Sequence, residues 1–483
     1  MDTPESVPSP LCVVSTAPSK KKRLKTTHKV LIVIGVFLLL PVVAWLILNG
    51  MADAAVRREL AKIEQAGGSV DWRDLAPPWV PDEENAALVY NQAFRLIDED
   101  GSDTENSYAH ALYEDSPWDE NKRKKIAEGF YWISIPLAEV SEEAAWQAAD
   151  ERLQRNEKAL NLIRSAAAME RCQFDINYAA AISVSLPHLP RLREGVRLLL
   201  LSAQQKRRQG DFAGAYRDVL TVLRLQRATR QPNVDCYLVG NLTIGQGLKR
   251  LRKILSTDTD HPQQWRRFLG EVDNIDLQPC LVSALQGERA SGVWAFGAYR
   301  GDPSQVFGLG PFKRVKGVVG LVLRPMIRFD EARYLSHMSE MVAAARLPAG
   351  KALAAAQSLE KQLDSTPRWA ILTKIFAAGR APAFVSQARN EADLALAQVA
   401  LGLKLYKHSH GAYPKDLAAL APDILKTVPD DPLTGKSFIY ARTDDGFVVY
   451  SVGCDLVDNG GNEKPPNEDE KDKGVDIVWD AEK

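Results

Sequence analysis

The chain has 483 residues, of which 45% are apolar and 25% charged, and its formal net charge is −1 at pH 7. This length predicts about two or three domains, and the composition excludes a disordered chain. The near-neutral charge also disfavours a general nucleic-acid-binding protein, because such proteins carry excess basic residues. The net charge hides an asymmetry along the chain. Residues 19–29 are basic and contain no acidic residue, whereas residues 455–483 are rich in Asp and Glu.

The first predicted element is an apolar segment, residues 30–48, that contains no charged residue. At about 1.5 Å per residue, a helix of this length crosses the hydrocarbon core of a bilayer. Pro41 interrupts the segment, which membrane helices tolerate. Basic residues flank only its N-terminal side, so the positive-inside rule places residues 1–29 in the cytoplasm and the chain from residue 50 outside it. We predict an uncleaved signal anchor; a cleaved signal peptide is the alternative.

Four of the five cysteines would then face the oxidising side of the membrane. Four cysteines allow three pairings, and their spacing is not that of a metal site. One disulfide and four free buried thiols therefore both remain open. The four residues are Cys172, Cys236, Cys280 and Cys454.

Residues 51–385 show an apolar spacing that is overwhelmingly helical, which predicts an α-helical domain. Its clearest unit is Leu192–Arg230, where two apolar stripes are joined by Gly210 and Asp211. Glycine there ends the first helix in a left-handed conformation, and aspartate caps the second. The joint Gly-Asp-Phe-x-x-Ala resembles that of a tetratricopeptide repeat. Because only one copy occurs, we interpret it as a single hairpin in an irregular helical domain.

Residues 287–327 combine recurrent glycines with aromatic residues and end in an apolar run that is too short to span a bilayer. One interpretation is an aromatic-lined groove or a loop that touches the membrane. The other, which we adopt, is a long connection buried against the helices.

The sequence carries no motif of an enzyme: it has no Walker loop, G-x-S-x-G elbow, H-E-x-x-H pair or dinucleotide fingerprint. His188 is interpreted as a buried structural histidine. His408 and His410 lie where a helix passes into a turn, and two histidines alone do not complete a metal site. We therefore predict that the protein is not an enzyme.

The last part of the chain contains an ordered series of short motifs. They are Leu405-Tyr406-Lys407 at a helix end, Gly411-Ala412-Tyr413-Pro414, Pro429-Asp430-Asp431-Pro432 with Gly435, Ser451-Val452-Gly453-Cys454-Asp455, and Asp476-Ile477. This series resembles the globular head of the major pseudopilin of type II secretion systems, over roughly a fifth of the chain. The resemblance implies that residues 386–483 form an α+β head, with one helix packed on a small antiparallel sheet.

The strands of this head are predicted at residues 437–441, 447–452 and 475–479, and Asp444-Asp445-Gly446 is a strong hairpin turn between the first two. The N-terminus departs from the family. A pseudopilin carries a short basic leader, a Gly before a Phe and a Glu five residues into its apolar helix, and nothing near Lys29–Val36 matches. The resemblance therefore concerns the head and not the whole chain.

The acidic C-terminal segment offers hard oxygen donors that suit calcium, although their spacing is not that of an EF-hand. These donors are Asp455, Asp458, Glu463, Glu468 and Asp476. In the pseudopilin family the S-x-G-x-D strand end and the aspartate before the late Ile help to hold a structural calcium. The resemblance thus implies calcium at Asp455 and Asp476 with the carbonyl of Val452, and we add Asp458 to the predicted set. An insertion between Gly461 and Gly474 and Leu433 in place of a usual Trp depart from the family; a solvated acidic tail is the alternative.

These features together predict a single-pass, non-enzymatic protein of the bacterial inner membrane with most of its chain in the periplasm. Its parts are a basic cytoplasmic tail (1–29), a transmembrane helix (30–48), a helical domain (51–385) and the pseudopilin-like head (386–483). Its partners would be the membrane and other envelope proteins, in an assembly or interaction role, and not nucleic acid. The alternative is an envelope enzyme or ligand-binding sensor with its site near residues 287–327, which a pocket of convergent polar side chains would favour.

Overall fold

The computed structural model describes residues 26–98, 142–301, 316–443, 446–463 and 475–480. Within these ranges the chain is mostly helical, and its strands lie near the C-terminus, as the sequence predicts. The helices are α1 (Thr26–Gln65), α2 (Trp72–Leu75), α3 (Ala86–Leu96), α4 (Glu142–Arg155), α5 (Glu157–Ala168), α6 (His188–Arg208), α7 (Phe212–Leu225), α8 (Val234–Thr257), α9 (Pro262–Val272), α10 (Gln278–Gly301), α11 (Lys316–Ala344), α12 (Ala349–Asp364), α13 (Ile371–Ala377) and α14 (Ala381–His410). The strands are β1 (Ile439–Arg442), β2 (Phe447–Ser451) and β3 (Ile477–Asp480).

The chain divides into two units, Met1–Met51 and Ala52–Lys483. The described part of the first unit is helical and contains the apolar segment predicted at residues 30–48, most of whose described large side chains are exposed. Pro41 lies inside α1 without ending it. A helix that is long and apolar enough to cross a membrane is therefore confirmed near the N-terminus.

Helices α6 and α7 form the hairpin that the sequence predicts. Gly210 at the joint has a φ of 81°, and the carboxylate of Asp211 accepts an N–H in the first turn of α7 at 2.8 Å. The hairpin is joined to α5 through Asp218, a fully buried carboxylate of α7. Asp218 accepts hydrogen bonds from Arg164 of α5 and Lys206 of α6, each at 2.7 Å. A buried carboxylate with two basic partners links three helices at one point.

Two asparagines set helix boundaries in the first half of the second unit. The side chain of Asn85 accepts the N–H of Ala87 and so caps α3. Asn156 lies between α4 and α5 and separates the two helices. The buried amide of Asn156 accepts the N–H of Asp98 at 2.9 Å, so a contact distant in sequence determines where the helix is interrupted.

The described part of residues 287–327 belongs to α10 and α11, which pack on each other. A Cβ atom added at Gly287 would lie 1.8 Å from the carbonyl oxygen of Pro232, and one at Gly292 would lie 2.1 Å from the hydroxyl of Tyr334. These glycines therefore permit close helix packing. Residues 302–315, with two of the phenylalanines in the predicted pattern, lie outside the described residues.

The three strands form an antiparallel sheet in the order β1-β2-β3. Val449, in the central strand, pairs with Tyr440 on one side and Trp479 on the other. Compared with the predictions, β1 and β3 each begin two residues later, while β2 begins at Phe447 as predicted. Residues 444–445 of the predicted hairpin turn lie outside the described part of the chain.

Helix α14 runs without a break from Ala381 to His410, so the domain boundary predicted between residues 385 and 386 lies inside it. It packs against α8, α9 and α12 and also against β2 and β3. Buried residues of β2 and β3, such as Phe447 and Trp479, belong to the same apolar cluster as those of the surrounding helices. The division into residues 51–385 and 386–483 stays a prediction.

The cysteines Cys172, Cys236, Cys280 and Cys454 are all free thiols, so the disulfide that the sequence left open is not formed among them. Burial raises the pKa of the Cys172 thiol and of the Cys236 thiol to about 12. Such thiols stay protonated at neutral pH and behave as small apolar side chains.

Candidate functional site

The C-terminal motifs meet at the end of β2. Gly453 has a φ of 74°, and a Cβ atom there would lie 2.3 Å from the carbonyl oxygen of Val475. Only glycine allows so close an approach in this conformation, so the strand end lies beside the residues that lead into β3. Ser451 donates a hydrogen bond to the buried carboxylate of Asp431 at 2.9 Å, which fastens the Pro-x-Asp-Pro turn to the same place.

Asp476 is fully buried and organises the loop that follows β2. Its Oδ2 atom accepts backbone N–H groups from Asn459 at 3.1 Å, from Gly461 at 2.7 Å and from Asn462 at 3.2 Å. Hydrogen bonds from backbone N–H groups to a carboxylate are short and strong, so three of them on one oxygen fix the loop against this side chain. Asp476 therefore holds the two ends of the acidic loop together, from its position just before β3.

Of the other predicted carboxylates, Asp455, Asp458 and Glu463 lie in the same loop and are exposed. Asp458 accepts the hydroxyl of Tyr450 at 3.1 Å and the N–H of Gly460 at 2.8 Å. Burial, followed by the hydrogen bond to Asp458, raises the pKa of Tyr450. Asp455 accepts the N–H of Val457 at 3.2 Å, which closes a short turn directly after the strand end.

The predicted metal set of Val452, Asp455, Asp458 and Asp476 thus lies in or beside one loop. Within the described residues, no three or more His, Cys, Asp or Glu side chains are grouped so that they could hold a metal ion. The oxygen chemistry suits calcium, but Oδ2 of Asp476 already accepts three amide hydrogens. Calcium at that atom would have to displace these bonds. Glu468 lies outside the described residues.

A polar cleft of about 410 Å³ is lined by residues of α8, α14 and β3. At one end, Arg252 of α8 pairs with Glu463 of the acidic loop, with Nη2 3.0 Å from Oε2. The same guanidinium donates to the carbonyl of Val478. Across the cleft, Asp393 of α14 accepts the indole N–H of Trp479 at 3.0 Å, and burial raises the pKa of Asp393.

The opposite wall of this cleft is an amide network. Asn390 of α14 donates to the carbonyl and to the side chain of Asn241 at 2.6 and 2.7 Å. Asn241 in turn donates to Ser386 at 2.7 Å. These polar atoms bond to each other, so the cleft walls join the helices to the C-terminal strands.

The three histidines singled out in the sequence occupy separate settings. His188 is buried and stacks on Phe174, with ring centroids 4.1 Å apart, as expected of a structural residue. His408 lies 3.5 Å from Asp260, whereas the ring of His410 stacks on Tyr406. The contacts of His408 and His410 are therefore to different partners.

Lys404 makes a contact that the sequence did not indicate. This buried residue of α14 donates to the carbonyl of Asp258 at 2.8 Å, at the C-terminal end of α8, where a cation is favourable. Burial lowers the pKa of Lys404 to about 8. The apolar stripe around it gave no signal that a lysine at this position would be buried.

The sequence pattern also did not single out the adjacent apolar residues Leu456 and Val457. Leu456 has a φ of 59°, and the two side chains are 59% and 53% exposed. Two adjacent apolar residues in an otherwise acidic loop were the available sequence signal.

No protein-family model, curated protein or solved structure matches this chain. Function is therefore argued from the geometry of these residues.

Proposed function

We propose that this chain is a non-enzymatic protein of the bacterial inner membrane that binds another envelope protein through its C-terminal α+β segment. The N-terminal helix anchors it, and the chain from residue 50 lies in the periplasm. The C-terminal segment is a pseudopilin-like head in an assembly or secretion machinery. Its support is the sequence resemblance together with a helix, α14, that packs on an antiparallel sheet. The motif residues lie at the end of α14, between α14 and β1, and between β2 and β3.

The observation that carries the interaction role is the exposed pair Leu456–Val457. A non-glycine residue in the left-handed region costs about 1 kcal/mol or more. Here that conformation holds a large apolar side chain in solvent, in a loop fixed by Asp458 and Asp476. An adjacent apolar pair that a strained turn keeps in solvent offers a contact for another protein.

The test removes this apolar pair without disturbing the loop. Leu456→Asn combined with Val457→Ser keeps a residue that tolerates positive φ at position 456. After cross-linking in intact membranes, recovery of the protein partner should fall about tenfold or more, the effect expected when an apolar anchor is removed. The melting temperature should not fall.

The matched control is an apolar pair of similar exposure on α13, Ile371 and Ile375, which are 55% and 51% exposed. Changing both to Gln should leave partner recovery as in the unmodified protein. Equal recovery with the loop variant and with this control would rule out the loop as the contact.

We also propose that calcium stabilises the acidic loop, through Asp455, Asp476 and the carbonyl of Val452. A ligand that binds only the folded state adds RT ln(1 + [Ca]/Kd), about 2.7 kcal/mol at a hundredfold excess over Kd. The intact protein in detergent should therefore melt at a higher temperature with millimolar calcium than with chelator. Asp455→Ala should abolish most of this difference, whereas Glu468→Ala, in the inserted part of the loop, should not. Identical melting with calcium and with chelator would leave the segment a solvated acidic tail.

A further inference from the structure

Arg289 of α10 is a buried cation without a counter-ion. It is 3% exposed, and within the described residues its guanidinium contacts only neutral acceptors. Nη2 donates to the carbonyl of Ser69 at 3.2 Å and Nη1 to the hydroxyl of Ser339 at 3.4 Å, while Nε has no acceptor. A buried charge that is neither paired nor fully hydrogen-bonded destabilises a fold.

The same helix shows how this chain pairs its other buried charges. Glu288, the neighbour of Arg289 in sequence, pairs with Arg380 at 2.8 Å. Arg300, at the end of the helix, pairs with the buried carboxylate of Glu331. Arg289 therefore differs from the paired arginines around it.

Arg289 also lines a cavity of about 300 Å³ between the end of α1, α10 and α11. Of the other charged residues in its lining, Lys62 and Glu59 pair with each other at 2.7 Å. The remaining charged residues of the lining are two arginines, Arg289 and Arg346, and one acid, Glu340. Burial lowers the pKa of Arg289, and the nearby charge of Arg346 lowers it further. The cavity lining thus has a net positive charge.

The backbone at Gly68 closely approaches the guanidinium. A Cβ atom added at Gly68 would lie 2.9 Å from Nη2 of Arg289, so a larger side chain at position 68 would press on that group. A volume of about 300 Å³ is at the small end of ligand pockets. It suits a compact ligand and not a dinucleotide.

We propose that this cavity binds a small anion with a phosphate or carboxylate group, and that the guanidinium of Arg289 is the charged group that binds the anion. Guanidinium groups recognise both anions through paired N–H donors, and an anion here would neutralise the buried charge. Such polar convergence beside residues 287–327 is the feature that a ligand-binding role requires. The inference does not depend on the interaction role of the acidic loop.

The experiment is calorimetric titration of the full-length protein in detergent, at constant ionic strength set with chloride. Inorganic phosphate and succinate are the soluble probes, and micelles doped with phosphatidic acid test a lipid head group as the source. Binding of a soluble probe identifies a free anion, and binding of the doped micelles alone identifies the head group. Arg289→Gln should weaken whichever binding is seen by about tenfold or more, as expected when a charge-assisted hydrogen bond is lost.

The matched control is Arg300→Gln, on the same helix, whose native side chain is already paired and does not line the cavity. It should leave anion affinity unchanged. Melting without added anion is the second readout: Arg289→Gln should melt no lower than the unmodified protein, because it removes an unpaired buried charge. Absence of binding in every arm, or equal affinity with Arg289→Gln, would overturn the proposal.

Discussion

His188 shows what burial does to a single titratable side chain. It stacks on Phe174, its Nε2 atom has no hydrogen-bond partner in the described part of the chain, and burial lowers its pKa to about 4. The unfolded chain binds a proton at this residue near its ordinary pKa of about 6.5, whereas the folded chain does not. Its contribution to stability is therefore complete above pH 6.5 and is lost as the pH falls towards 4.

His188→Phe keeps an aromatic ring against Phe174 and removes the titration. Between pH 7 and pH 4 the unmodified protein should lose roughly 3 kcal/mol of unfolding free energy more than this variant, because a difference of one pKa unit corresponds to about 1.4 kcal/mol. Denaturant unfolding at pH 7, 5.5 and 4 measures the difference. His410→Phe, which changes an exposed ring, should follow the unmodified protein. If the unfolding free energy depends on pH in the same way for all three proteins, His188 is protonated in the folded state.

At the scale of elements, the glycines of α10 have different roles that the sequence does not distinguish. Gly287 meets the carbonyl of Pro232, and Gly292 meets Tyr334. A Cβ atom added at Gly297 would instead lie 3.8 Å from the guanidinium of Arg300, which is an ordinary contact. Close packing of the helix against the chain near Pro232 therefore requires glycine at position 287 but not at position 297.

Gly287→Ala should destabilise the protein by about 2 kcal/mol or more, because a methyl group would force backbone apart in a packed interior. Gly297→Ala should instead raise stability by up to about 1 kcal/mol, the gain of alanine over glycine inside a helix. Thermal and denaturant unfolding of the two variants measures both effects. A Gly287→Ala variant as stable as Gly297→Ala would show that the contact with Pro232 relaxes without cost.

At the scale of the whole molecule, the basic residues before Val30 predict the orientation in the membrane. Protease added to spheroplasts should degrade the chain after the anchor and spare only its N-terminal end. Protection of the C-terminal strands would overturn the orientation. Release of a soluble, shortened protein would show that residues 30–48 are a cleaved signal.

The second unit also shows that its C-terminal strands and its helices share one buried apolar cluster. Lys404 of α14 reaches the end of α8, and Arg252 of α8 reaches both Glu463 and β3. Cutting the chain at residue 386 would therefore expose one face of α14 and break these contacts.

The sequence by itself determined what depends on neighbours along the chain. An uninterrupted apolar segment predicted the N-terminal helix, helical spacing predicted the helical body, and Gly210 with Asp211 predicted the α6–α7 joint. Local signals suffice there, because caps, turns and periodicity act over a few residues. Only the tertiary structure decided that Asn156 divides a helix, that Asp431 accepts a hydrogen bond from Ser451, and that Arg289 is buried with no counter-ion among the residues the structure describes. Each of these features joins residues distant in sequence, and their free energies arise from burial and pairing, which no local pattern encodes.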